Sequence, residues 1–249
     1  MIRETHQRTQ ACSKELLAIL HWTARIGAVT AEALAHLDDA SVPSARARLR
    51  TATRRQLLAR HRLLADRPAL YTVTRAGTRA AGLRGFDPCR VSAGNSLHTI
   101  ACANAAAALQ RCYPEQRIVG ERELRREERR CGAPVASVIL RHIAGARPIL
   151  HRPDLVLWPS APGGESPIAV EVELTIKAPR RLEEICRAWA RSRDVSGVLY
   201  LATPEVERPL RRAIGRTHAA ERVVVVSLDA LALTSNATST IARSVPSGP

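Results

Sequence analysis

The sequence predicts an α/β (α+β) chain built round a mixed sheet, and three features carry that expectation. Apolar residues recur at helical spacing early in the chain, as in Leu16, Leu17, Leu20 and Ile26. Residues Val170 to Leu174 alternate apolar and acidic side chains with a period of two, the signature of a strand with two unlike faces. From Val135 onward, strand-length apolar runs alternate with helix-length segments, which favours a sheet flanked by helices.

The elements follow in order. A first helix is expected from Lys14 to Ile26, stopped by Gly27, and a second from Ala31 to Leu37 with Thr30 as its N-cap. Asp38, Asp39 and Ser41 mark a turn, and Pro43 suits the first turn of a third helix. On that helix Val42, Ala45, Leu49, Ala52 and Gln56 share a face, while Arg46, Arg50 and Arg54 recur every four residues on another. Seven arginines and no acidic residue lie between Val42 and Ala65. Leu63 to Ala65 and Leu70 to Val73 read as two short strands round an Asp/Pro turn, and Thr74 to Gly77 opens a small helix.

Gly, Pro, Ser and Asn dominate residues 85–96, which are expected to link a domain at 1–84 to a second at 97–232; a polar tail at 233–249 is expected to be disordered. In the second domain His98 to Arg111 and Glu121 to Arg130 read as helices, the first with Leu97, Ile100, Ala101, Ala105 and Leu109 toward the core and the second as a solvated face of mixed charge. Strands are expected at Val135 to Leu140, Asp154 to Trp158, Ile168 to Thr175, Val198 to Ala202 and Arg222 to Leu228, with helices at Pro179 to Arg193 and Glu205 to Thr217.

Charge narrows the function. The chain has 249 residues, 38 Lys+Arg against 23 Asp+Glu, and a formal net charge of +15. Such an excess of cations repels itself unless a polyanion neutralises it, so nucleic acid is the expected partner. Residues 1–95 hold 16 basic and 7 acidic groups, making the first domain the more one-sided half. No apolar run has the length of a membrane span and no segment has signal-peptide layout, so a cytoplasmic protein is expected. Six cysteines without CxxC or zinc-finger spacing read as mostly buried thiols in a reducing compartment.

Against that basic background, acidic groups gather at one place. Glu171 and Glu173 project from one face of a core strand, and a hairpin would set Asp154 beside Glu171. Carboxylates so placed repel unless a cation lies among them, and hard oxygen ligands suit Mg²⁺ or Mn²⁺. Arg152 and Arg180 are near enough in sequence to neutralise the glutamates instead. Lys177, one of only two lysines, reaches Glu173 only if the strand ends near Leu174 and the chain turns back before Pro179.

Two resemblances follow from these residues. Three helices and a hairpin over about residues 12–84, with a basic third helix, resemble a winged helix-turn-helix. That resemblance implies binding of double-stranded DNA, with Arg46, Arg50 and Arg54 facing the major groove and Arg60, Arg62 and Arg67 near phosphates. Pro153-Asp154 followed by Glu171-Val172-Glu173, within an α-β-β-β-α-β order over about residues 97–228, resembles the PD-(D/E)xK nuclease superfamily, with its restriction-endonuclease-like sheet. The resemblance implies a Mg²⁺- or Mn²⁺-dependent phosphodiesterase, an endonuclease or nickase, in which Asp154 and Glu171 hold the metal. Some family members add a Glu from the preceding helix, here Glu121 or Glu123. The chain departs from the family at Glu173, which stands where a Lys is usual; Lys177 is the other candidate for that role.

The combined order, with Glu121 to Leu124, Arg152 to Asp154 and Val170 to Thr175, resembles replication-relaxation proteins of plasmids and mobile elements. A non-catalytic DNA-binding regulator of replication or transcription on a degenerate nuclease fold is the alternative this resemblance leaves open, and a protein that binds another protein through its arginine-rich helices is a third.

Overall fold

The computed structural model describes residues 12–86, 88–145, 147–160 and 166–233. It is a mixed α/β structure whose main sheet has five strands flanked by helices. The tail expected to be disordered lies outside the described residues, apart from its first residue, which closes a short last helix.

The amino-terminal part begins with α1 (Lys14–Ile26), α2 (Ala31–Leu37) and α3 (Val42–Arg54). Each starts on a hydroxyl cap: Ser13, Thr30 and Ser41 accept from the backbone N–H three residues on, at 3.2, 3.0 and 3.3 Å. Ala45, Leu49 and Ala52 form the fully buried face of α3 as expected. Gln56 does not join it, because the helix stops at Arg54 and Gln56 takes a left-handed conformation with φ 57°, leaving its side chain exposed. That early exit moves the hairpin. Its first strand is β1 (Leu58–His61), not residues 63–65, and it pairs antiparallel with β2 (Leu70–Val73). The Asp/Pro segment is thus part of an eight-residue loop. Tyr71 also exchanges two backbone hydrogen bonds with Val29, at 3.0 and 2.9 Å, tying the hairpin to the turn between α1 and α2. Then α4 (Arg75–Ala80) begins on Thr74, whose hydroxyl accepts from Gly77 N–H and donates to Gln56 C=O.

The long helix α5 (Ala93–Cys112) begins inside the expected linker, where Asn95 Oδ1 accepts from Ser92 N–H at 2.7 Å and stabilises the first turn. Its buried residues are chiefly small: Ala103, Ala105 to Ala108 and Leu109. Leu97, expected in the core, is 47% exposed. Alanines suit this helix because it packs against α2 on one side and the sheet on the other, and small side chains permit both approaches.

The sheet opens with β3 (Gln116–Gly120), a strand the sequence pattern did not announce, followed by α6 (Glu121–Cys131). The strand expected at residues 135–140 is β4 (Val138–Arg141), which pairs with β5 (Ile149–His151) in a separate two-stranded ladder and takes no part in the main sheet. The rest run as β6 (Leu155–Pro159), β7 (Ile168–Glu173), α7 (Pro179–Arg191), β8 (Gly197–Ala202), α8 (Pro204–Arg216), β9 (Val223–Ser227) and α9 (Leu228–Leu233). Strand order is β3-β6-β7-β8-β9, antiparallel up to β7 and parallel from β7 to β9. The parallel half needs crossovers, which α7 and α8 supply.

Alternation along β7 sorts the sheet into two cores. Val170 and Val172 join an apolar cluster that runs continuously through α5 to Leu20, Leu34 and Leu49 of the amino-terminal helices. Ala169 on the opposite face packs with Trp189, Ile185, Leu210 and Tyr200 beneath α7 and α8. Gly120 marks a close approach between the two parts: a Cβ there would lie 2.5 Å from Arg25 C=O.

Candidate functional site

Two regions concentrate chemistry: the end of the β6–β7 ladder and a groove between α3 and the hairpin.

At the first, Leu155 pairs with Val170, so Asp154 and Glu171 stand one step beyond the last pair of the β6–β7 ladder, while β7 itself stays paired with β8 through Glu173. Asp154 Oδ2 accepts from Val172 N–H at 2.8 Å and lies 3.3 Å from His98 Nε2. His98 Nε2 is also 3.1 Å from Val172 C=O, which holds the ring across the strand end. The Asp154 hydrogen bond raises the His98 pKa, against the opposing effect of burial. One helical turn on, Cys102 Sγ approaches the same ring at 3.7 Å from Nδ1 and 3.8 Å from Nε2. Burial first, then the carboxylates of Asp154, Glu171 and Glu121, push the Cys102 thiol well above its ordinary value. Carboxylates thus act on the thiol, while Arg90, Arg122, Arg125 and Arg129 line the cavity beside it.

Glu171 points to the opposite face of the sheet and is 5% exposed. Its Oε1 accepts from Trp189 Nε1 at 3.2 Å and faces His151 Nε2 at 2.6 Å. The His151 ring meets Trp189 edge-on, with centroids 5.9 Å apart at 72°. Burial raises the Glu171 pKa while His151 pulls it down. Glu173, equally buried, is paired with Lys177. The strand ends at Glu173 and the chain folds back, which is the condition under which Lys177 reaches that glutamate. Burial lowers the Lys177 pKa, opposed by Glu171 and Asp154.

Glu121 opens α6 and donates its backbone N–H to Asp154 C=O at 3.0 Å, but its carboxylate is held by Arg125. Glu123 pairs with Arg117 at 2.9 Å. The expected neutralisers act elsewhere: Arg152 binds the buried Glu128 at 2.8 Å, and Arg180 is exposed with no ion pair among the described residues. Glu128 is accordingly no part of a solvated face, since it also accepts from Val135 N–H at 3.3 Å. Among the described residues, the ligand-type atoms that lie within 4.8 Å of one another belong to His98, Cys102 and Asp154; Glu171 and Glu121 stand outside this group. The group lines a cavity of about 480 Å³ bounded also by Gly27, Phe86 and Glu121.

His98, Cys102, His151 and Trp189 were not singled out by sequence reasoning. The spacing His98-x₃-Cys102 was the available signal, because residues four apart on a helix share a face. His151 directly precedes Arg152-Pro153-Asp154, but nothing local says that it turns toward Glu171. The cysteines are all free thiols, and Cys186 is the one that is fully buried; Cys131 is exposed.

The second region is a groove of about 440 Å³ lined by Arg46 and Arg50 from α3, Arg60 from β1, and Arg62 and Arg67 from the hairpin loop. Arg54 is exposed on α3 outside this lining. Arg46 lies 3.5 Å from Glu32, Arg62 donates to Ala65 C=O at 3.1 Å, and Arg67 lies 3.4 Å from Asp66. Arg50 and Arg60 make no contact with a carboxylate among the described residues. Five guanidinium groups converge on one concavity with one acidic side chain, Glu32, in its wall. Among the described residues, no helix is long and apolar enough to cross a membrane.

Comparison with protein-family models, with curated proteins and with solved structures finds no match for this chain.

Proposed function

We propose that the protein binds double-stranded DNA through the arginine groove between α3 and the hairpin, as a winged helix-turn-helix does. The carrying observation is the convergence of Arg46, Arg50, Arg60, Arg62 and Arg67 on one groove, from α3, β1 and the hairpin loop. In this reading α3 lies in the major groove, with Arg46, Arg50 and Arg54 along it, and the hairpin arginines grip the flanking phosphates. Arg50 and Arg60 are the groups most ready to bind, because no internal carboxylate must first be displaced.

Affinity for a duplex should fall steeply as salt rises, because each neutralised phosphate releases condensed counterions. Arg50→Ala is expected to weaken binding about tenfold, equivalent to about 1.4 kcal/mol, and, if Arg50 meets a phosphate, to reduce the salt slope by about one unit. Fluorescence anisotropy across a salt series measures both. Affinity indifferent to salt, or unchanged in Arg50→Ala combined with Arg60→Ala, would sink the reading.

For the carboxyl-terminal part, a nuclease-like scaffold in a regulator of plasmid replication or transcription accounts for the site better than a Mg²⁺-dependent nuclease. The residues do not fit Mg²⁺, which needs several exposed oxygen ligands in near-octahedral array. Glu171 is committed to His151 and Trp189, Glu121 to Arg125, and the groups gathered at Asp154 are an imidazole and a thiol. Supercoiled and linear DNA incubated with Mg²⁺ or Mn²⁺ should therefore remain uncut. Cutting that disappears in both Asp154→Ala and Glu171→Ala would reinstate the endonuclease or nickase.

A further inference from the structure

We infer that His98, Cys102 and Asp154 form a three-ligand Zn²⁺ site whose fourth coordination position opens into the cavity bounded by α1, α5 and α6. The inference goes beyond the DNA-binding proposal and does not depend on it.

Geometry carries the argument. Zn–S and Zn–N bonds of about 2.3 and 2.0–2.1 Å in a tetrahedron place neighbouring ligand atoms about 3.4–3.6 Å apart. Cys102 Sγ lies 3.7 and 3.8 Å from the two ring nitrogens of His98, and Asp154 Oδ2 lies 3.3 Å from Nε2. The three groups thus stand near bonding separation before any ion arrives, with side-chain adjustment needed only to narrow the last of the three gaps, none of which exceeds 4.8 Å. Two of the ligands are fixed on one helical face by their i,i+4 spacing, and the third by the hydrogen bond of Val172 N–H to Asp154 Oδ2. Asp154 Oδ1 has no hydrogen-bond partner among the described residues, and Asp154 lines the cavity.

The donor set selects the ion. Thiolate with imidazole suits Zn²⁺ and disfavours Mg²⁺, which takes oxygen and keeps its waters. With three protein ligands the ion retains a water on the cavity side, the coordination of an open site.

The test starts from the full chain, stripped with a chelator and titrated with Zn²⁺, with Mg²⁺ in excess as competitor. One Zn²⁺ per chain should bind, and Mg²⁺ should leave it in place. Cys102→Ser, His98→Gln and Asp154→Asn should each weaken binding more than about 100-fold, exceeding the loss seen when only an outer partner of a ligand is removed. Cys131→Ser, an exposed thiol on α6, should leave it unchanged. Co²⁺ added to the unsubstituted protein should give a thiolate-to-metal charge-transfer band, so the outcome does not hang on the folding of any variant. Absence of that band, or Zn²⁺ affinity equal in Cys102→Ser, overturns the site; loss in Cys131→Ser moves the binding elsewhere and overturns it too. Duplex affinity measured on the same samples tells this failure apart from failure of the arginine groove.

Discussion

Glu171→Ala should lower stability by about 2–4 kcal/mol, the cost of leaving two buried donors without their acceptor. For a chain of this size that corresponds to a fall in melting temperature of roughly 10 °C. The alanine strands two donors at once: His151 Nε2 and Trp189 Nε1 lose their common acceptor in a part of the molecule sealed between β7, β5 and α7. A void on the β7 face adds to the loss, because the neighbouring strand and helix are fixed by their own packing. Glu171→Gln, which keeps the volume and an acceptor oxygen, should cost markedly less.

The same residue sets a pH dependence with a definite sign. Burial raises the Glu171 pKa above its ordinary 4.5, so the folded chain holds this proton more tightly than the unfolded one. Its contribution is complete below about 4.5 and is lost as pH rises through the raised folded value. Denaturation midpoints measured upward from mildly acid pH should show that component in the parent protein, and Glu171→Gln should lack it. An identical pH profile in the two proteins would contradict the assignment.

Gly77→Ala should cost about 3 kcal/mol or more and reduce DNA affinity with it. A Cβ on Gly77 would sit 2.1 Å from Leu57 C=O and 2.8 Å from Val73 Cγ1, far inside contact distance and against backbone that cannot swing aside. Leu57 C=O accepts from Thr74 N–H at 3.0 Å, so the clash falls on the hydrogen bond that closes the base of the hairpin. Displacing β1 displaces Arg60 and the loop carrying Arg62 and Arg67, and the arginine groove loses one wall. Gly82→Ala is the control, since nothing lies within 4 Å of a Cβ there; its left-handed φ of 66° leaves a modest local strain of about 1 kcal/mol. A Gly77→Ala protein as stable as the parent would mean that α4 is not seated on Leu57 as described.

Periodicity and capping chemistry were enough to place most elements. Thr30 and Pro43 announce their helices because a hydroxyl acceptor or a fixed φ acts over three residues, a range contained in the sequence. The alternation Val170-Glu-Val-Glu-Leu174 specified both the strand and the division of its faces, which fixed where Glu171 and Glu173 would point before any partner was known. The charge record likewise located the arginine cluster on α3 and beyond it. Local signals failed where two parts of the chain compete. The left-handed turn at Gln56 ended α3 early and shifted the hairpin, and β3 became a strand through its pairing with β6.

The sequence by itself determined a basic amino-terminal part, a helix-flanked mixed sheet and an acidic pair on its central strand. Only the tertiary structure decided what those acids do. His98 and Cys102 reach Asp154 from a helix more than fifty residues upstream, while His151 and Trp189 close on Glu171 from the other side. Faces and caps are set by short-range sterics, which the sequence carries. Partners across a sheet are set by which helix packs on which face, and that depends on the burial of the whole core.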